Sequence, residues 1–445
     1  MSELSRRDLL KYGATGVAAL AATPVARAVG SPLRRLEQLG AGQRAGQAAT
    51  SYSYDWWTFD GPTGIATIKQ AVAAFNAYGH GNLELNISSL STGGASVYPS
   101  KIQSLISSGQ PPDLFLDWIG TLASPYIDEG AVQPLGAWYR QYDWAKVLVP
   151  SSIGYVTVKG QPYGVPMAVW TVPVWYNKTL FAKAGASVPT TYDEWETVNA
   201  KLVSAGITPA AEAVIDGYDI MRLFEHLLEV TAGPKLHDEL LALNASWNDP
   251  AVTEAFALLK KWGDAGWFEK GFLGTNPNDS GTLFSAGKAA QSFQGGWEAG
   301  SLESAGSPLD DFDVFVPPGE HGPARLAGFA VQYLVGKQVT GEKLDQLGAF
   351  FNWFIQPAQQ KKYFYDSGTA TVDGVPPATT TAGKLAHKAA AITAAYGGYV
   401  IQDEALGTEL VDYFYTLQYG VLNGSMTPKE AAAKMAAQVE KDHKS

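Results

Sequence analysis

The spacing of apolar residues changes period repeatedly along the first part of the chain. Tyr52 to Phe59 is aromatic and extended, and it stops at the turn residues Asp60-Gly61-Pro62. Beyond them Ile65, Ile68, Val72 and Phe75 recur at i, i+3, i+7 and i+10, which predicts a helix with one buried face. Leu83, Leu85 and Ile87 then alternate with polar residues, as in a half-buried strand. A second helical pattern carries Ile102, Leu105 and Ile106 and ends near Gly109, and Pro111-Pro112 leads into a buried-type strand at Leu114-Phe115-Leu116. This β-α-β-α-β rhythm predicts an α/β fold with a mainly parallel sheet flanked by helices. Ligands of such sheets bind beyond the carboxyl ends of the strands. Those ends carry Trp56, Trp57 and Asp60 after the first strand, and Asp117 and Trp118 after the third.

The stretch from Gly160 to Lys178 breaks the rhythm. Pro166 and Pro173 lack an N–H donor, so one uninterrupted central strand is disfavoured. Two short extended pieces meeting at an irregular joint fit better, as a hinge between two lobes requires. After it, helices dominate. Thr191-Tyr192-Asp193-Glu194 and Thr427-Pro428-Lys429-Glu430 have the form of capping boxes, and Asp249-Pro250 pairs an N-cap with proline at the first helical position. Leu283 to Trp297 reads as a helix end, a short strand and a glycine pair presenting Trp297.

Composition narrows the function. Hydrophobic residues make up 46% of the 445 and charged residues 17%, so a large core is available. Net charge is −11 and no Lys/Arg stripe is present outside the N-terminus, which disfavours nucleic acid as a partner. The absence of cysteine excludes disulfides, thiolate metal sites and a cysteine nucleophile. Thirteen tryptophans and 21 tyrosines supply more flat side chains than a core requires.

At the N-terminus, Ser5-Arg6-Arg7 precedes an apolar segment from Tyr12 to Ala22, and Ala26-Arg27-Ala28 offers small residues at signal-peptidase spacing. Residues 1–28 therefore resemble a twin-arginine signal, expected to send a folded protein to the periplasm or the outer face of the membrane, cleaved there or retained as an anchor. Residues 29–51, rich in Gly, Ala, Gln and Ser, read as a flexible linker.

No nucleophile elbow, phosphate loop, zinc-binding H-E-x-x-H or dinucleotide fingerprint occurs, so no cofactor and no metal is expected. The six histidines are scattered and read as structural. One catalytic option survives: a glycosidase using two of Asp60, Asp117 and Glu298, which would need its carboxylates roughly 5–9.5 Å apart.

Several motifs in fixed order carry a resemblance. They are SSGQPPDLFLDW (Ser107–Trp118), DEGAVQPL (Asp128–Leu135) and YGVPMAVWTVPVWYNKTLFAKAG (Tyr163–Gly185), followed by VPTTYDEWE, FSAGKAAQSFQGGW, FFNWFIQPAQQKKYF and GSMTPKEAAAKM. From about Tyr54 to Glu440 the chain resembles the extracellular solute-binding proteins of carbohydrate ABC importers, the family of maltose-binding protein. The resemblance implies a two-lobed periplasmic-binding-protein fold of type II, each lobe a mainly parallel sheet flanked by helices, with several chain crossovers at the hinge. It divides the chain into an N-terminal lobe of residues 52–168 plus about 310–365 and a C-terminal lobe of 169–309 plus about 366–445. It implies no enzymatic activity. The expected partners are a carbohydrate and the permease subunits of an importer, with the receptor itself a monomer.

The same resemblance assigns a site. Asp60 matches a carboxylate that bonds sugar hydroxyls, and Asp117 lies at a ligand-contacting position. Trp170 stands on the first crossover, Tyr176 belongs to the YNK signature, and Trp297 matches a stacking tryptophan beside Glu298. Another sugar-facing aromatic is expected near Val411–Tyr415, where Tyr413 or Tyr415 could serve. Trp56, Trp57 and Trp118 complete the candidate set. Such residues suit a sugar because indoles cover its C–H face while carboxylates accept from its hydroxyls. Two other readings remain at this stage: a different small cargo such as glycerol-phosphate, an amino-acid derivative or a metal chelate, and the glycosidase.

Overall fold

The computed structural model describes residues 49–57, 62–90, 97–118, 124–319, 322–363, 371–372, 378–396 and 398–442. The N-terminal signal, most of the linker and Asp60 lie outside them, as do the side chains of Trp56 and Trp57.

The opening pattern forms as the periodicity predicts. Strand β1 (Thr50–Trp57) is followed by helix α1 (Pro62–Ala77), β2 (Leu83–Leu90), α2 (Val97–Ser107) and β3 (Leu114–Trp118). Ile68, Val72 and Phe75 of α1 are buried, and Phe75 meets Phe350 edge-on at 5.5 Å between ring centres. The first strand begins at Thr50, inside the stretch read as linker, because Thr50 and Ser51 pair with Leu83 and Glu84.

The Pro-punctuated stretch divides as its two extended pieces require. β4 (Gly164–Val172) and β5 (Val174–Asn177) are separated by Pro173 alone, and they belong to different sheets. Pro166 sits in β4, which pairs only with β9 (Leu326–Val335) among the described strands, next to a register shift between Val331 and Gln332. An edge strand at a bulge is where a residue without an N–H is tolerated.

The second sheet adds β6 (Thr208–Ala210), β7 (Ala289–Ser292) and β8 (Phe312–Phe315), in the order β8-β5-β7-β6. The first sheet runs β10-β9-β3-β1-β2, where β10 is Gly398–Val400. Both sheets are mixed in direction rather than mainly parallel. In the first, β1 runs parallel to β2 and β3, and β9 to β10, while β9 is antiparallel to β3 and β4. In the second, only β6 and β7 run parallel. The antiparallel members are strands that enter a sheet directly from the other one, with no covering helix to reverse them.

The expected division of the chain meets the strands differently at three places. Residues 169–172 remain in the first sheet, Phe312–Phe315 pairs in the second, and Gly398–Val400 returns to the first. The chain thus passes between sheets at Pro173, again between Phe315 and Leu326, and again around β10. The second passage is clamped by Arg325. Its Nε donates to Glu229 Oε1 at 2.7 Å and its Nη1 to Asp238 Oδ1 at 2.9 Å, while His237 Nδ1 lies 2.6 Å from Glu229 Oε2.

Helices cover the second sheet. The predicted caps are present: Thr191 Oγ1 accepts from the Glu194 N–H at 3.2 Å, Asp249 Oδ1 from Ala251 at 2.8 Å, and Thr427 and Glu430 exchange bonds reciprocally. The Glu194 carboxylate turns back to Thr190 rather than Thr191, so that box closes one residue early. These caps start α3 (Tyr192–Ser204), a helix at Pro250–Asp264 and the last one at Pro428–Asp442. The longest described helix, α4 (Tyr218–Leu241), breaks at Gly233 (φ 66°, ψ 168°) ahead of Pro234, which cannot donate within the turn.

Candidate functional site

Two tryptophans from different sheets meet. Trp170 lies near the end of β4, opposite Phe329 of β9, and the two rings are 5.6 Å apart. Trp297 follows β7 through Gln294, Gly295 and Gly296, and its ring stands edge-on to Trp170 at 5.5 Å and to Phe329 at 5.5 Å. The glycine pair has a direct steric reason. A Cβ on Gly295 would lie 1.9 Å from the Trp297 ring, so only glycine lets the ring fold back over the backbone. Trp170 is buried, and Trp297 half-buried, so the second ring keeps some open surface.

A cation lies against that ring. Arg222 comes from the first turns of α4, with its guanidinium carbon 5.2 Å from the Trp297 ring centre and 5.0 Å from that of Tyr218. Asp219, one turn earlier, accepts a hydrogen bond from Arg222 Nη1, which also donates to Gln294 Oε1 at 2.7 Å. Arg222 Nε has no partner among the described residues. Glu298, next to Trp297, begins a short helix at Glu298–Ser304 and is buried. Burial first and Asp219 second push its carboxyl up to about 8, against the pull of Arg222.

Carboxylates accumulate around this core. Glu225, one turn beyond Arg222, is fully buried and accepts from the backbone N–H of Gln402, at the start of a helix at Gln402–Leu406. Burial pushes Asp403 up to about 6 while Arg222 pulls it down, and Glu404 is raised by burial and by the charges of Asp403 and Asp117. Asp117 ends β3 in the first sheet. Its Oδ1 accepts from the Trp118 N–H at 2.8 Å, its Oδ2 is buried without a partner among the described residues, and burial raises its pKa. Asp117 and Glu404 thus both stand against the first sheet, and the helix carrying Glu404 reaches α4 through the Gln402 N–H on Glu225 and the charge of Asp403 on Arg222.

The candidate residues divide accordingly. Trp170, Trp297 and Glu298 fall within this constellation, and Asp117 lies on its first-sheet side, linked to it through Glu404. Trp118 turns into the core of the first lobe, edge-on to Tyr98 at 6.1 Å. Tyr176 does not reach the tryptophans: it packs on Phe181 at 4.8 Å and Phe315 at 5.5 Å within the second lobe, where Asp313 lies opposite across the sheet. Of the two tyrosines expected near the C-terminus, Tyr415 packs against the start of α4. Its ring fills the space a Cβ on Gly217 would occupy, 2.3 Å away, and the fields of Asp403 and Arg222 act on its hydroxyl. Tyr413 lies two residues back on the same helix, partly buried at the edge of the core.

The residues missed by sequence reasoning are Tyr218, Asp219, Arg222, Glu225, Gln402 and Asp403. A signal for the α4 members existed: Asp219, Arg222, Glu225 and Glu229 form a charged stripe three to four residues apart on the largely apolar first half of the helix. A charged stripe on a buried helix demands partners.

Two α/β lobes joined by repeated crossovers, with Trp170 of the first meeting Trp297 of the second, define a two-lobed solute-receptor architecture. The chain belongs to the bacterial extracellular solute-binding protein family, whose model matches residues 61–361. An uncharacterised ABC transporter extracellular-binding protein of Pyrococcus horikoshii is 25% identical over 269 residues, 60% of each chain. A multiple sugar-binding protein of Streptococcus mutans is 24% identical over 49% of this chain and 53% of its own. These matches span little more than half of the curated relatives' lengths. A probable sugar-binding periplasmic protein of Rhizobium meliloti is 23% identical over 78% of this chain and 84% of its own. Among solved structures, a chitin oligosaccharide binding protein superposes with a TM-score of 0.79 at 24% identity, covering 88% of this chain and 98% of that one. The raffinose complex of RafE superposes with a TM-score of 0.72 at 17% identity, covering 87% and 98%. No helix among the described residues is long and apolar enough to cross a membrane.

Proposed function

We propose that this protein binds a sugar or oligosaccharide between its lobes and delivers it to the permease of an ABC importer. The observation that carries the reading is the meeting of Trp170, in the first sheet, with Trp297, just beyond β7 of the second, beside Arg222, Asp219 and Glu298. An indole matches the C–H face of a pyranose, and ionised carboxylates accept from its hydroxyls more strongly than neutral groups do. A wrong epimer in a closed cleft leaves a buried polar group unpaired, at a cost of about 1–3 kcal/mol, which is enough to discriminate.

No bond need break. The ligand's greater affinity for the closed arrangement of the lobes drives closure, with Pro173 and the other passages as the flexing points, and the closed shape is what a permease would read. The names of the relatives and of the ligand-bound structural neighbours support a carbohydrate cargo. A phosphate cargo is disfavoured because Arg222, the one cation at the site among the described residues, is already matched by Asp219 and surrounded by further acids. In the same reading the receptor acts as a monomer, and residues 1–28 direct export by the twin-arginine route.

The test is titration of the purified chain with a glycan panel, following tryptophan emission and heat, with mass analysis of the glycans afterwards. Saturable binding with unchanged glycans supports a receptor. Steady product formation would instead make Asp117 and Glu298 candidates for a glycosidase, and binding of a non-carbohydrate alone would replace the cargo.

A further inference from the structure

We propose that the interlobe site takes a saccharide bearing a protonated amine, held by carboxylates that the protein's own cations leave unmatched. The inference rests on the receptor reading above and narrows its substrate class.

Charge is the first ground. Asp219 ion-pairs with Arg222, Glu225 lies one turn further along the same helix, and the charges of Glu212, Glu298 and Asp403 also fall on that guanidinium, the one described at this place. Moving an ionised carboxylate out of water costs several kcal/mol unless a cation or several donors replace the solvent. Donors are scarce here. Asp117 Oδ2 and Glu225 Oε2 are buried with no hydrogen-bond partner among the described residues.

Neutral groups supply an independent ground. The side chain of Gln402 is fully buried beside Glu225, and neither its oxygen nor its nitrogen has a partner among the described residues. The Tyr155 hydroxyl, from the first lobe, is buried without one as well, and the charge of Glu404 reaches it. Orphaned amide and hydroxyl groups of this kind expect a polar guest. Sugar hydroxyls would satisfy Gln402 and Tyr155, but they bring no charge. An ammonium group brings one charge and three donors to the same place. Arg222, covering part of the Trp297 and Tyr218 faces, then serves the ring oxygens and hydroxyls of the same guest.

The carboxyls raised by burial sharpen the expectation. Glu298 and Asp403 hold protons at neutral pH more readily than ordinary carboxyls, and an arriving cation favours their ionised forms. Binding of an amine sugar should therefore release protons from the protein.

The experiment uses the full mature chain. Glucosamine and galactosamine, glucosamine oligosaccharides, their N-acetylated counterparts and neutral gluco- and galacto-oligosaccharides of matched length are titrated calorimetrically near pH 6, in two buffers of different ionisation heat and at low and high salt. The expected result is that an amine form binds at least about tenfold more tightly than its acetylated and neutral counterparts, the preference shrinking as salt rises. Asp403→Asn should reduce that preference several-fold. Should that variant fail to fold, the salt dependence and proton release of the unaltered protein decide alone. Neutral sugars binding as tightly as amine sugars, with no proton release, would overturn the inference and leave the receptor reading standing. Absence of binding to any saccharide would remove both.

Discussion

Arg222 lies against the ring of Trp297, its guanidinium carbon 5.2 Å from the ring centre, while the ring's edge contacts run to Trp170 and Phe329. The tryptophan is therefore held from both lobes before any ligand arrives, and part of its face is shared with a cation. A sugar must use the remaining open surface or slide the arginine aside.

Trp297→Ala should reduce sugar affinity at least about tenfold, since it removes the half-open indole between the lobes. It should also cost about 1–3 kcal/mol of stability, less than a fully buried tryptophan would, because the ring is partly exposed. Calorimetric titration and chemical denaturation check the two effects separately. Unchanged affinity would take the residue out of the site.

Gly295→Ala tests the geometry without touching the indole. The added methyl would lie 1.9 Å from the ring, so the ring must swing away. The expected outcome is a shift in tryptophan emission, a loss of affinity comparable to that of Trp297→Ala, and a stability cost of about 1–3 kcal/mol.

Arg325→Met should destabilise the protein by about 2–4 kcal/mol, because it strands the buried carboxylate of Glu229 and loosens the second passage between the sheets. The contact lies at a crossover and makes no use of Trp297, so denaturation midpoints should fall well before any change in ligand specificity. An unaltered midpoint would show that the clamp carries no net stability.

Stability should pass through a maximum in mildly acidic solution. Glu229 is brought down to about 2, chiefly because His237 and Arg325 bond to it against the opposing effect of burial, while Asp238, His226 and Glu225 stand nearby. Its contribution is present above the unfolded carboxyl value of about 4.3 and is lost as pH falls from there towards 2. Glu298 and Asp403, raised to about 8 and about 6 beside Asp219, Arg222 and Glu404, act in the opposite sense. Their contribution is complete below the unfolded value and is lost as pH rises through the folded ones. Melting temperature of the ligand-free chain should therefore rise from pH near 8 to pH near 5 and fall again below about pH 4. A profile flat from 8 to 5 would count against the buried acids.

Much of the fold was legible along the chain. The opening β-α-β-α-β order and the caps at Thr191, Asp249 and Thr427 rest on local chemistry and form where that chemistry places them, whereas the joint expected between Gly160 and Lys178 falls at Pro173 and the strand runs on through Pro166. Strand direction was less legible. Whether a strand runs parallel to its neighbour depends on which distant segment returns beside it, and β9 takes β3, β4 and β10 as partners from widely separated parts of the chain.

The site shows the same boundary. By itself the sequence determined that Gly295 and Gly296 deliver Trp297, that an acid lies at the end region of β3, and that the proline-punctuated stretch splits into two extended pieces, because turns, caps and strand ends act through near neighbours. Only the tertiary structure decided that Trp170 meets Trp297 while Tyr176 turns into the second lobe, that Tyr415 packs against the start of α4, and that Arg222 stands nearly alone among carboxylates. Those outcomes depend on two sheets and a long helix converging from segments far apart in the chain, where burial and the summed field of many groups set what each side chain can do.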